Sequence, residues 1–119
     1  MFVNLPLDTH IYALSAANPR ESSYGTYCAP DDVIMGKHIG TCLGDLFSVK
    51  FIEDSEAMDI SVETLQSQFE KIRAATNLSH VMQWGDLSFT DDDLDSFLSS
   101  SKKQEEFINL RKQLPRDYF

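Results

Sequence analysis

The strongest regularity along the chain lies between residues 61 and 76. Val62, Leu65, Phe69 and Ile72 recur at three- and four-residue intervals, with Glu63, Gln66, Gln68, Glu70, Lys71 and Arg73 between them. That spacing lines one side of a helix with apolar groups, and Asp59 or Ser61 can cap its start. A different rhythm runs from Leu46 to Ile52, where Phe47, Val49 and Phe51 alternate with Ser48 and Lys50. Alternation of period two predicts a strand near 46–52.

The first third reads as extended. Phe2 to Leu5 and His10 to Leu14 are short strand candidates, and Pro6 confines the first to an edge or a strand end. Residues 18–29, with Pro, Gly, Ser and two Tyr, read as a long loop. Pro30 to Gly36 has the form of one helical turn, with proline first, Asp31 and Asp32 next and glycine last. His80 to Trp84 fits strand or loop, and Gly85-Asp86 fits a turn. Thr90 with Asp93, then Ser101 with Gln104, are capping-box matches that predict helices near 90–99 and 102–114, the second ended by Pro115. The expectation is a single α+β domain over 1–119: short N-terminal antiparallel strands, a strand near 46–52 and about three helices near 61–76, 90–99 and 102–114.

Composition adds that a core can form. A chain of 119 residues with 42% hydrophobic residues, including eight Phe, four Tyr and one Trp, has the material for one. No apolar run reaches the ~18 residues of a membrane span. The N-terminus lacks a basic region followed by an apolar stretch, so no secretion signal is expected. Cys28 and Cys42 are accordingly expected to be reduced thiols in a cytoplasmic protein.

The net charge of −9 is unevenly distributed: residues 51–100 carry eleven acidic side chains against Lys71 and Arg73 alone. Such a field repels nucleic-acid phosphates and anionic membranes and attracts cationic partners. Direct nucleic-acid binding and membrane association are therefore not expected.

Candidate chemistry is sparse. Of Cys28, His38, Cys42 and His80, only His38 and Cys42 stand at a chelating interval, and glycines flank them, so no zinc site is expected. A Cys/His pair oriented by Asp45 or Asp86 can be drawn, yet no helix start follows either cysteine to activate it. A calcium loop beginning at Asp91 fails, because Ser96 and Lys102 occupy the glycine and glutamate positions. Gly36, Gly40 and Gly44 recur every four residues but fit tight turns, and Lys37 completes no phosphate-binding loop.

No catalytic residue, metal or cofactor is thus expected. What remains is carboxylate: Glu53, Asp54, Glu56 and Asp59 ahead of the 61–76 helix, and Asp91, Asp92, Asp93 and Asp95 beyond it. Trp84, beside Asp86, serves as an interface anchor if exposed and as core if buried. These residues lead to a non-enzymatic acidic protein that neutralises a basic protein partner, as a bacterial immunity protein does a nuclease-type toxin. The alternatives are a small acidic secretion or assembly chaperone, and a Cys/His-dependent enzyme.

Overall fold

The computed structural model describes residues 2–98. The chain is a mixed α+β structure in which three pairs of short antiparallel strands surround two helices. β1 (Tyr12–Ser15) pairs with β6 (Met82–Gly85), with Tyr12 opposite Gly85 and Ser15 opposite Met82. β2 (Gly25–Thr26) pairs with β5 (Gly44–Asp45), and β3 (Val33–Ile34) with β4 (Lys37–His38). The helices are α1 (Leu46–Ala57) and α2 (Leu65–Ala75).

α2 is the helix that the apolar spacing predicts, starting one turn later. Thr64 caps it, its side-chain oxygen accepting from the Ser67 amide at 3.1 Å. Asp59 instead accepts from the Ser61 amide and hydroxyl in the preceding turn. Leu65, Phe69 and Ile72 are buried, while Val62, ahead of the helix, is 71% exposed. Two small apolar clusters lie along α2. One joins Leu65 to Ile60 and Leu94, with Tyr12 and Phe89 against it. The other joins Phe69 and Ile72 to Val81, with Leu14, Phe47 and Phe51 against it.

The segment 46–52 is a helix, not a strand. Asp45 caps α1 by accepting from the Ser48 amide, and Lys50 pairs with Glu53 one turn on. The alternation that suggested a strand is compatible with both periods, because Phe47 and Phe51 stand four apart. Four residues is also the interval that stacks side chains on one helix face, and both rings lie against the Phe69–Ile72–Val81 cluster. Tertiary burial decides between the two readings.

Further corrections come from local chemistry. Phe2–Asn4 forms a short 3-10 turn rather than a strand. Pro30 to Gly36 is not a helical turn: Val33 and Ile34 start a hairpin whose tip, Met35 and Gly36, has φ of 50° and 77°. Two positive φ values in a two-residue connection match the right-handed twist of paired strands. The helix expected near 90–99 shrinks to a 3-10 turn at Leu94–Ser96. There Thr90 donates to the Leu87 carbonyl instead of capping, and Asp93 bridges to Thr64. Leu94 is nonetheless buried, held by hydrogen bonds from its amide to Glu63 and from the Asp95 amide to Ile60. The helix expected near 102–114 lies outside the described residues.

Candidate functional site

Asp45 sets the start of α1, and a loop clipped at both ends precedes it. β2–β5 pairing holds the base of this loop, with the Leu43 amide donating to Tyr27 and the Leu46 amide to Tyr24. Cys28 and Cys42 are joined in a disulfide of S–S length 1.97 Å, and no free cysteine remains. This corrects the expectation of two reduced thiols. Inside the loop, the buried Asp32 carboxylate accepts from Gly40 at 2.7 Å and meets His38 Nδ1 at 2.8 Å. The His38 ring, followed by the Gly40 amide, holds the Asp32 carboxyl below the usual aspartate range. Val33, Ile34, Met35 and Ile39 are left exposed around this polar centre.

The other histidines are engaged as well. His80 Nδ1 lies 3.0 Å from Glu21, which also accepts from the backbone amides of Asn18 and His80. Hydrogen bonding by the Asn18 amide, then by the His80 ring and amide, lowers the Glu21 carboxyl to about 2. His10 Nδ1 stands 3.5 Å from Asp86. No imidazole therefore faces a sulfur, and neither the zinc reading nor a Cys28 or Cys42 nucleophile gains geometric support.

The carboxylates singled out from the sequence separate into structural roles. Glu53 is exposed and bonded to Lys50 at 2.8 Å and to the Tyr27 hydroxyl at 3.3 Å. Glu56 is exposed on the same helix, and Asp59 caps the turn after it. Asp91, Asp92 and Asp93 are exposed in a loop that the Leu65 amide tethers through the Asp92 carbonyl, while Asp95 is half-buried. Asp86 is buried, accepting from the Ser88 amide. Trp84 is half-buried and donates its indole N–H to Ser15 at 2.8 Å. The structure thus brings the Asp59 turn beside the Asp91–Asp95 loop but sets Trp84 and Asp86 on the ribbon of β1 and β6.

One acidic contact has consequences for pH. Asp54 on α1 faces the buried Glu63, whose Oε1 pairs with Lys71 of α2. Asp54 Oδ2 and Glu63 Oε2 are both buried without a donor among the described residues. Burial, then the Glu63 charge and hydrogen bond, raise the Asp54 carboxyl above its ordinary 3.8, against a smaller pull from Lys71 and Gln68. A raised folded pKa means the folded state holds this proton more tightly. The stabilisation is complete below 3.8 and is lost as pH rises through the folded value. Asp54→Asn, which keeps the shape and removes the second charge, is expected to raise the urea midpoint at pH 7 and shrink the difference between pH 5 and pH 7. An unchanged pH dependence would exclude this pair as its source.

Beside this contact lies a cavity of about 670 Å³ between β1, α1 and α2, lined chiefly by Tyr12, Leu14, Phe47, Phe51, Leu65 and Leu94. Its apolar wall offers one polar side chain from α2, Gln68, which donates to Ser55 at 3.1 Å. Among the described residues no cluster of three His, Cys, Asp or Glu side chains could hold a metal, and no helix is long and apolar enough to cross a membrane.

Comparison with known proteins changes the functional assignment. Residues 1–100 match the model of the Peptidase C13 family. The chain is 40% identical over 101 residues to a vacuolar-processing enzyme of Vicia sativa, a match covering 82% of this chain and 20% of that protein. It is 43% identical over 90 residues to legumain of Bos taurus, covering 76% and 19%. It is also 43% identical over 99 residues to a hemoglobinase of Schistosoma japonicum, covering 83% and 22%. The chain spans about one fifth of the length of these relatives.

These matches overturn the reading as a non-enzymatic immunity protein and, with it, the basic toxin-like partner: the family is one of peptidases, which act on proteins as substrates. Of the carboxylates offered as a partner surface, Asp86 is buried and accepts from Ser88, whereas Glu53, Glu56, Asp59 and Asp91 to Asp93 are exposed. The cytoplasmic expectation falls to the disulfide and to relatives named for the vacuole, since paired cysteines are uncommon in reducing compartments. Neither the C13 family nor the disulfide was legible from cysteine and histidine spacing, because spacing along the chain does not show which side chains the fold brings together. This chain belongs to the Peptidase C13 family.

Proposed function

We propose that residues 1–119 are part of a legumain-like cysteine peptidase that hydrolyses peptide bonds in protein substrates as an asparaginyl endopeptidase, with a nucleophile lying outside these residues. The observation that carries this division of labour is the Cys28–Cys42 disulfide, which leaves the chain without a thiol. Cysteine peptidase chemistry requires a thiolate and a base within hydrogen-bond reach. The three imidazoles are each set against a carboxylate, Asp86, Asp32 or Glu21. The peptidase assignment itself rests on the family match.

In this reading the chain supplies framework to the enzyme. Large exposed apolar groups such as Val3, Leu7, Ile11 and Leu78 suit packing against further polypeptide, since a closed domain exposes fewer contiguous apolar patches. The disulfide loop between β2 and β5 is a braced surface element beside that framework.

The test uses the full-length polypeptide carrying these residues. Cys28→Ser/Cys42→Ser is expected to lower its stability by about 3 kcal/mol, the loss expected for a loop of this size. Turnover of an asparagine-containing fluorogenic peptide should persist and still be abolished by iodoacetamide. A folded double variant with no turnover would place the nucleophile in this pair and overturn the proposal.

A further inference from the structure

We propose that the cavity between β1, α1 and α2 is the docking site for this chain's own residues 102–114. Its space of about 670 Å³ is walled chiefly by apolar groups, among them Phe47, Phe51, Leu65 and Leu94. Packed interiors leave few voids larger than a water molecule, so an apolar space of this size accepts side chains from elsewhere. Three observations choose the occupant.

The first is continuity. Phe97 and Leu98, the last residues described, are exposed and form part of the cavity wall. Phe97 is held there by Phe89, the ring centroids standing 6.0 Å apart. The backbone therefore leaves the described fold at the rim of the cavity and continues to Phe119. Phe107 stands nine positions beyond Leu98, a span of up to about 30 Å when extended. That is ample to turn back over a wall that begins at Leu98 itself.

The second is the sequence of the segment. At helical spacing Phe107, Leu110 and Leu114 share one side, with Ile108 on its flank. Lys103 and Arg111, each four positions from Phe107, border that stripe, and Glu105 and Asn109 fall opposite. A narrow apolar stripe edged by cations is the chemistry that an apolar cavity with an acidic rim selects.

The third is charge. α1, which supplies Phe47 and Phe51, also carries Glu53, Asp54 and Glu56, and Asp91, Asp92 and Asp93 directly precede Leu94. Residues 99–119 hold five basic side chains against three acidic ones. Opposite charges favour this pairing, whereas a second copy would bring a net charge of −9 against the same carboxylates. The tether adds to the preference, since a linked segment meets its site at an effective concentration of roughly millimolar. The inference concerns how the framework is closed and does not depend on where the peptidase nucleophile lies.

The full-length polypeptide with p-benzoylphenylalanine in place of Leu110 tests this by photocrosslinking and peptide mapping. Crosslinks are expected to the peptides that hold Phe47 and Phe51, Leu65 or Leu94, well above those formed by the same probe in place of Glu105. In a mixture of isotope-labelled and unlabelled polypeptide, each crosslink should join peptides of one label. Crosslinks chiefly to polypeptide outside residues 1–119, crosslinks between labels, or none above the Glu105 level overturn the proposal. Hydrogen exchange reads the same contact without a probe. Leu110→Asp/Leu114→Asp is expected to speed amide exchange in α1 by about tenfold or more while the hairpin of β3 and β4 keeps its rate. An unchanged α1 rate overturns the proposal. Turnover of an asparagine-containing peptide by the same variant bears on the peptidase reading alone, so the two readings fail separately.

Discussion

Gly85→Ala is expected to lower stability by about 2 to 5 kcal/mol and to disrupt the ribbon of β1 and β6. The sum has two parts: a left-handed backbone at a residue with a side chain costs about 1 to 2 kcal/mol, and overpacking adds about 1 to 3. Gly85 holds φ at +83°, and a β-carbon there would collide with the Ile11 carbonyl oxygen and stand 2.7 Å from Leu5 Cδ2. The carbonyl is not free to retreat, because it accepts from the Asp86 amide at 2.8 Å. The Leu5 side chain can swing aside, so the backbone carbonyl sets the cost. Urea unfolding of the full-length polypeptide measures the loss. A change below about 0.5 kcal/mol, typical of an unconstrained surface position, would show that the backbone relaxes around the methyl group.

Ile72→Ala carries a comparable expected loss, about 2 to 5 kcal/mol, for a different reason. Ile72 is 1% exposed and contacts Phe69 and Val81, with Leu14, Phe47 and Phe51 around them. Truncation removes three carbons from water-excluded packing and leaves a hole that α1 and α2 can only partly close. Ile72→Val deletes one carbon and should cost about 0.5 to 1.5 kcal/mol. The gradient between the two substitutions separates burial from any loss of helix propensity, since valine is the poorer helix former and would otherwise be the more damaging. Equal midpoints for wild type and Ile72→Ala would mean that this cluster does not hold the fold.

Both residues were differently visible in the sequence. Ile72 follows from spacing alone, because Leu65, Phe69 and Ile72 can share a face only in a helix. Gly85 read as a turn, and its close approach to Ile11 depends on a partner strand some seventy residues away. α1 was misread because Phe47 and Phe51, four residues apart, satisfy two periods at once, and only contact with the Phe69–Ile72–Val81 cluster selects one. The capping box at Thr90 overstated helix content for a related reason: hydroxyl and carboxylate groups stabilise turns and caps alike.

The functional site was less legible than the fold. Cys28, Cys42, His38 and His80 were weighed as ligands or nucleophiles, yet each sulfur is bound to the other and each imidazole to a carboxylate. A side chain already satisfied inside the fold leaves no trace in spacing that distinguishes it from a reactive one. The charge of −9 misled through the same ambiguity, since a buried Asp32 and an exposed Asp91 count equally in a composition.

α2 is the common wall of two apolar clusters that share no residue: Leu65 belongs to one, Phe69 and Ile72 to the other. Both clusters draw on this one helix, whose buried side chains among the described residues are Leu65, Gln68, Phe69 and Ile72. Damage at one end therefore travels to the other through a single rod, and the described part of the molecule behaves under stress as one cooperative unit, with that rod as its keel.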